Sequence, residues 1–531
     1  MPRKERGLKP ACAGAHDLRS EDLKMNGKKK SLVLITVDCL RADHCGFYGY
    51  SRPTTPFLDT LAGESFVFSE AVVAGAPTYY SLPGILASRM PLALGRDMIG
   101  LAPGENAVAT ALRKAGYATA AFSAANPYIS SRFGYDQGFG AFDDGLDFGA
   151  SSANGADGIA SPRSENSSTR ARVNRSLKRT AHALGLGPLY DELYFQYCMR
   201  VAALHVESID SLQRFPSAEE IVDRASAWLP LIDGRPFFLW LHLMDPHSPY
   251  YPSAAAYHEF TGKDISPERA RYLNEFWNRS DLGPARLSKK KNSVIDLYDA
   301  GIRAADAQIA RFVSQLRRLA LWDDCVLALT ADHGEEFLDH GRRYHAPMAL
   351  REEIARVPLM IRVPGFAGKK RSATFSHLHL APTLLEILDV PSPASFQGVS
   401  ISQSLLQDQS RPDEAFQDQS NKNCAVTECI YGCTNPLRNK DRMGPRLLSV
   451  REGGHKLVMR MEAGAIEELY DLEADPEEQR SLAPGARKEI RVQLLRAARL
   501  HMERASNGAR EEFRLKARLR GLRGDLQSKS Q

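Results

Sequence analysis

Two apolar runs, each ending in acid, constrain this chain more than any other feature. Ser31–Val37 (SLVLITV) stops at Asp38, and Cys325–Thr330 (CVLALT) passes through Ala331 into Asp332, His333 and Gly334. Runs this short, rich in β-branched residues and closed by polar ones, read as strands buried on both faces of a parallel sheet. In open α/β sheets, ligands gather outside the carboxyl ends of the strands. One strand-end Asp alone reads as the cap of the next helix. Two carboxylates and an imidazole delivered to one edge are different, because they are costly to desolvate unless a cation lies between them. The pair therefore predicts a divalent-metal site held by Asp38, Asp332 and His333.

Between the runs lies Ala76-Pro-Thr-Tyr-Tyr-Ser-Leu-Pro-Gly-Ile-Leu-Ala-Ser-Arg-Met-Pro91. Thr78 is expected in a loop, ahead of a helix beginning near Ser81 with Ile85 and Leu86 turned inward. A hydroxyl at a helix N-terminus faces unpaired N–H groups and the positive end of the dipole, where an anionic ester also settles. Judged locally, Thr78 or Ser81 serves as well as an N-cap. Threonine becomes a nucleophile only where a base or a metal lowers its pKa. A third apolar run, Phe237–Leu243, leads to Asp245 and His247. His247 reads as an oxyanion ligand or proton donor, whereas His242, inside the run, reads as a packed histidine. His340 and His345 lie in the loop after Asp332-His333.

Asn106–Ala115 reads as a helix, Ala118–Ser123 as a strand and Asn292–Ala320 as a long amphipathic helix feeding the Cys325 strand. Alternating strands and helices give an α/β class: a mainly parallel sheet flanked by helices. Residues 1–30 are expected as a basic flexible N-terminus and 31–392 as the catalytic domain. The Ser/Gly/Ala-rich stretch 146–180 lies within an insertion over 146–215, expected to be partly disordered, with a helix over Asp191–His205. A smaller α+β subdomain spans 393–484, with strands around Ala425–Glu428 and Lys456–Arg460 and a helix packing back. A basic helical tail spans 485–531.

With 531 residues and 43% hydrophobic content the chain can bury a large core. No apolar run approaches the ~18 residues that span a bilayer, and the first thirty residues lack an apolar leader, so a cytoplasmic location is expected. The eight cysteines fit a reducing compartment. Cys39, Cys45, Cys198 and Cys325 read as packed thiols, and Cys424, Cys429 and Cys433 lack a fourth partner at zinc spacing. The ends carry +5 (residues 1–30) and +8 (485–531), which leaves the portion between them near −8. The tail's apolar positions at Ile490, Leu494, Ala497, Leu500 and Phe513 read as an interrupted helix. Nucleic acid is excluded as a partner, and the tail offers a surface for weak membrane or partner docking.

LITVDCLRADHCGFYGY, RPTTPFLDTLA, the Thr78 segment, FFLWLHLMDPHSPYYP, LTADHGEEFLDHG, EEIARVPLMIRVPG, LAPTLLEILDVP and ELYDLEADPEEQRSL follow one another in a telling order. In number, order and spacing they resemble the sulfatase family of the alkaline phosphatase superfamily, over about residues 31–145 and 215–482. The departures are informative. Sulfatases convert a Cys or Ser in C/S-x-P-S-R to formylglycine, but the aligned stretch here is Thr78-Tyr-Tyr-Ser-Leu82, so no formylglycine is expected. Leu82 replaces the Arg, Cys39 replaces the second Asp of an Asp-Asp pair, and Ala-Ala-Asn126 stands where Lys-x-His is usual. The remaining set is similar to the Thr-dependent phosphotransferases of the superfamily, such as lipoteichoic acid synthases, where an acidic residue, Thr, Asp and His hold one metal.

The resemblance implies a metal-dependent hydrolase or transferase of sulfate or phosphate esters, leaning to phosphodiesters, with Thr78 as nucleophile and His247 beside it. One divalent cation (Mn²⁺, Ca²⁺ or Zn²⁺) is expected on Asp38, Asp332 and His333, with Zn²⁺ favoured if Asp245, His247 or His345 completes a second site. His340, His345 and Asn126 are the expected substrate contacts. The substrate is a small-molecule, glycan or lipid-linked anionic ester. The competing expectation is a catalytically silent scaffold that binds a sulfated or phosphorylated glycan.

Overall fold

The computed structural model of the 531-residue chain describes residues 29–146, 169–202, 208–406, 424–461 and 466–503. The large sheet is built from β1 (Ser31–Val37), β2 (Phe66–Val72), β3 (Ala118–Ser123), β4 (Ala141–Asp143), β5 (Phe237–Leu243) and β6 (Cys325–Ala331). Beyond the small hairpin β7 (Glu336–Phe337) and β8 (Arg343–Tyr344), it adds β9 (Arg356–Val357), β10 (Leu359–Arg362) and β11 (Lys369–Ser376). The order is β11-β2-β10-β6-β1-β5-β3-β4, with β9 on the side of β2. β1 runs parallel to β5 and β6, and β3 parallel to β5 and β4, while β10 is antiparallel to both its neighbours. Every residue of β1, β5 and β6 is buried, so the continuous apolar runs mark strands covered on both faces.

The long helix spans Pro284–Arg318, eight residues earlier than the periodicity alone indicates, because Pro284 occupies its first turn, where a missing N–H costs nothing. Its buried stripe (Val294, Leu297, Ile302, Ala305, Ile309, Phe312, Leu316) packs beneath helices Pro56–Ala62, Ala218–Trp228, Ala254–Thr261 and Pro267–Trp277. A second helix group joins Thr78–Ala87, Val108–Lys114 and Leu380–Ile387. Two helices, Thr169–Ala183 and Gly187–Ala202, stand in the expected insertion. Residues 147–168 and 203–207, His205 among them, lie outside the described residues, as do 1–28 and 504–531 with Phe513.

The C-terminal subdomain is an antiparallel meander, β12 (Cys424–Ile430), β13 (Arg446–Glu452), β14 (His455–Arg460) and β15 (Ile466–Asp471). A helix over 488–503, within the stretch expected as a tail, packs onto the meander, seating Leu494 and Ala498 on Leu448, Val450, Leu457 and Leu469. The meander docks beside the Thr78 segment, where Glu428 N–H donates to Ala74 O at 3.0 Å and Thr427 Oγ1 to Val73 O at 2.7 Å. Among the described residues, no helix is long and apolar enough to cross a membrane.

Candidate active site

The strand order β6-β1-β5-β3 lines up four parallel carboxyl ends. Val37 is level with Leu243 on one side and Ala331 on the other, so Asp38 lies between Asp332-His333 and the Met244–His247 turn. Asn126 enters just past β3. Thr78 comes from across this edge as the first residue of the buried helix Thr78–Ala87, not from the loop expected for it. The turn starts early because the carbonyl of Pro77 accepts from Tyr80 and Ser81 N–H at 2.8 and 3.1 Å, and proline at a cap forfeits no hydrogen bond.

The side chains converge tightly. Thr78 Oγ1 donates to His333 Nε2 at 3.1 Å and lies 3.5 Å from Asp38 Oδ2. His333 Nδ1–H is committed to the carbonyl of Gly334 at 2.9 Å, which leaves the Nε2 lone pair facing the hydroxyl. That same Nε2 lies 3.6 Å from Asp38 Oδ1 and 3.5 Å from Asp332 Oδ2. Asn126 Nδ2 donates to Asp38 Oδ2 at 2.9 Å. Its Oδ1 accepts from Tyr128 N–H, so Asn126 orients Asp38 in this structure. His345 Nδ1 lies 3.1 Å from Glu335 Oε2, with its ring 4.6 Å from that of His333 and 5.1 Å from that of His247.

Two residues read as packing groups belong to this site. His242 is buried in β5, as expected, yet its Nε2 lies 3.3 Å from Asp38 Oδ2. Thr36, which accepts from Trp240 Nε1–H at 2.9 Å, holds the other ring nitrogen at 2.8 Å. Cys39 is buried, but its Sγ lies 3.2 Å from Asp38 Oδ1 and 3.4 Å from His345 Nδ1. The cause is a backbone turn: Cys39 sits at φ +60°, a region β-carbons disfavour, which aims the thiol along the ligand edge. A non-glycine strained immediately after a strand-end acid is not visible in sequence.

Two others part company with the site. Asp245, at the same strand-end level, takes Ala218 N–H on both oxygens at 3.0 and 3.1 Å and so caps helix Ala218–Trp228. His340 pairs with Glu353 at 2.7 Å, and among the described residues it makes no contact with Thr78, Asp38 or His333. Only His345, one residue beyond the β7–β8 hairpin, reaches the strand ends.

Burial alone would raise Asp38, but the imidazoles of His247, His242 and His333 hold its carboxyl well below the usual carboxylate range. Burial and the nearby Asp38 charge push Asp332 up instead. Glu335 outweighs burial at His345 and lifts it to about 9. Burial pushes His247 down, against the pull of Asp38. Its Nδ1–H donates to Ser248 O at 2.5 Å, so Nε2 remains free.

A family model for the sulfatases matches residues 30–390. The chain belongs to the sulfatase family. Residues 341–504 also match the C-terminal model of N-sulphoglucosamine sulphohydrolase. An arylsulfatase of Clostridium perfringens is 26% identical over 70% of this chain and 78% of its own length. For arylsulfatase K of Rattus norvegicus the identity is 25% over 49% of this chain, and the match spans only about half (48%) of that relative. Among solved structures, the phosphonate monoester hydrolase of Agrobacterium radiobacter superposes with a TM-score of 0.61 at 18% identity, covering 90% of this chain and 96% of that one. A protein solved with its substrate D-glucosamine-2-N,6-O-disulfate gives 0.64 at 17%, covering 90% and 99%. At these identities the likeness shows the fold alone.

Enzymes of this family use a divalent metal, and the residues present fit one. Asp38, His242 and Asp332 bring donor atoms within 4.8 Å of one another, as do Cys39, His333 and His345, and Asp38, Cys39 and His247. Asp332 Oδ2 is buried with no hydrogen-bond partner among the described residues, an expensive state for a carboxylate unless a cation faces it.

Proposed function

We propose that this sulfatase-family protein hydrolyses phosphate or sulfate esters through Thr78, with phosphodiesters as its preferred class. The observation that carries the reading is the Thr78 hydroxyl at a helix N-terminus, 3.1 Å from His333 Nε2 and 3.5 Å from Asp38 Oδ2, beside an orphaned Asp332 oxygen. Asp38, Asp332 and His333 would hold the cation, with His242 and Cys39 within reach. A divalent ion held there would lower the pKa of the Thr78 hydroxyl and would offset charge on the ester oxygens.

The chain's own groups divide the remaining work. Thr78 Oγ, its proton given up to solvent, attacks in line as the bond to the leaving oxygen breaks. The leaving group departs as an alkoxide or phenolate that solvent protonates, and water then cleaves the threonine ester and restores the hydroxyl. The free N–H groups of the first turn of Thr78–Ala87 face that group's oxygens. His247, fixed through Nδ1–H, presents the Nε2 lone pair as a base for the water that releases the group. Phe215 packs edge-on against the His247 ring at 5.3 Å, and both line a cleft with Tyr251 and Arg214 that would take the leaving group.

Charge ranks the substrates. Leu82, in the place of the family's Arg, is fully buried in the core, and Asn126 replaces a cationic pair. The groups that most strongly hold Asp38 ionised are imidazoles. A site so poor in fixed positive charge suits a monoanionic diester over a dianionic monoester. Sulfate is also monoanionic, but a sulfo-threonine lacks the hemiacetal route by which formylglycine releases sulfate, so sulfate ranks second and phosphomonoester third. Comparing kcat/KM on matched nitrophenyl esters with Mn²⁺, Ca²⁺ or Zn²⁺ supplied tests the order. A sulfate preference above about tenfold, ~1.4 kcal/mol, reverses it, and no turnover of any ester points to a binding scaffold.

A further inference from the structure

A second group of ligating side chains lies outside the strand-end site. Glu336, His340 and Glu353 each bring one donor atom to within 4.8 Å of the other two. His340 Nδ1 lies 2.7 Å from Glu353 Oε1, while its Nε2 faces the carbonyl of Glu478 at 3.3 Å. A neutral imidazole has one N–H, and the Glu478 carbonyl takes it at Nε2, so a proton or a cation must lie between Nδ1 and Glu353. Glu336 is the independent sign. It is 1% exposed, and its buried Oε1 has no hydrogen-bond partner among the described residues. The fixed cation that acts on it, Arg342, forms no ion pair or hydrogen bond with it among the described residues.

We propose that Glu336, His340 Nδ1 and Glu353 bind a divalent first-row metal ion, with Zn²⁺ the best match, at a site separate from the strand-end centre. Two carboxylates and one imidazole form a donor set that Zn²⁺ accepts, with water completing four. A ring N–H donated to a backbone carbonyl is the arrangement that fixes a ligating histidine, and the His340–Glu478 contact supplies it. The ion has a structural consequence. Glu336 opens the β7–β8 hairpin, His340 lies in its turn and Glu353 lies on the short helix Glu352–Ala355. Metal binding ties hairpin to helix and so fixes His345, the residue that follows Tyr344.

The test is metal counting on full-length protein, equilibrated with Zn²⁺ and stripped of loose ion on chelating resin. Glu336→Gln should lower bound Zn²⁺ by one equivalent both in the wild type and in an Asp332→Asn background, which disturbs the other centre alone. His340→Asn should do the same. Zn²⁺ should raise the melting temperature of Asp332→Asn and raise it less once Glu336→Gln is added. Gln preserves the shape of Glu336 and removes an unpaired charge, so this variant carries the test if His340→Asn does not fold. Unchanged Zn²⁺ content in Glu336→Gln in both backgrounds overturns the proposal and leaves a protonated His340 as the cation. Loss of Zn²⁺ in Asp332→Asn alone, with the Glu336 equivalent intact, bears on the strand-end centre and not on this one.

Discussion

The strand-end edge of the large sheet and the seam between that sheet and the C-terminal meander both bury acids, but they neutralise them differently. At the seam, Glu352 meets Lys456 Nζ at 2.9 Å and the Arg451 guanidinium, Arg451 also reaches Glu70, and Lys456 meets Glu478 at 3.1 Å. Despite burial, Lys456 and Arg451 hold Glu352 down to about 2. At the strand ends Asp38 and Asp332 face imidazoles, one oxygen has no partner, and Asp332 is pushed up. Lysine and arginine are permanent cations, so the seam is finished when the chain folds. Imidazoles can be neutral, so the strand-end edge is completed only by something brought to it. The difference separates a structural use of buried charge from a chemical one.

The largest effect that can break this comparison is at Thr78. Thr78→Ala should lower kcat by about four orders of magnitude or more, as loss of a covalent nucleophile does. Its melting temperature and metal content should stay those of the wild type, because neither depends on the hydroxyl. Steady-state kinetics on the best nitrophenyl ester, with metal analysis of the same sample, reads both. Retained turnover would move the chemistry to another group, with Cys39 first in line.

Next comes the seam. Lys456→Met leaves Glu352 and Glu478 buried beside one fewer cation, and breaking such a pair costs about 3–5 kcal/mol. Urea unfolding should show that loss while kcat per folded molecule is kept. A variant that loses activity without losing stability would show that the seam is not purely structural.

His377 sharpens the contrast, being an imidazole with no carboxylate beside it. It is buried, its Nε2 meets Thr330 Oγ1 at 2.9 Å, its Nδ1 has no partner among the described residues, and burial pushes it down to about 3. The folded ring stays neutral while the unfolded chain takes up a proton below about 6.5. The protein therefore binds fewer protons folded than unfolded between those values, and stability falls as pH drops through the window. At pH 5 the loss is about 2 kcal/mol relative to pH 7. His377→Gln should shrink the difference between denaturant unfolding at pH 7 and pH 5 by that amount.

How much of this is legible in sequence depends on whether a local pattern or a distant neighbour decides it. β1, β5 and β6 announce themselves because strands buried on both faces must be apolar throughout, and acids closing such runs stand out. Asp38, Asp332 and His333 follow from that pattern. His242 does not, since an imidazole inside an apolar run has the same local context whether it packs or points at Asp38, and it is Thr36 on the adjacent strand β1, itself held by Trp240 of β5, that turns it. Cys39 depends on one positive φ. His340 and His345 are five residues apart in one loop, and the β7–β8 hairpin alone sends them to different clusters. Lys456 looks like any charged strand residue until β14 is seen to lie over Glu352.

Asp245 gives the smallest effect and the closest control, because it stands at a strand end as Asp38 and Asp332 do and has the opposite fate. Both its oxygens accept Ala218 N–H, and burial raises it to about 6. A ligand at that position would be irreplaceable, whereas a cap is one contact among many at a helix start that Ser217 also caps. Asp245→Asn keeps an acceptor oxygen and removes a charge that burial already disfavours. It should cost about 1 kcal/mol or less of unfolding free energy, leave bound metal unchanged and keep kcat within about twofold, ~0.4 kcal/mol. If metal content falls with Asp245→Asn, the strand-end centre extends along β5 as well as β1 and β6, and the line between capping acid and ligand acid must be redrawn at Asp245.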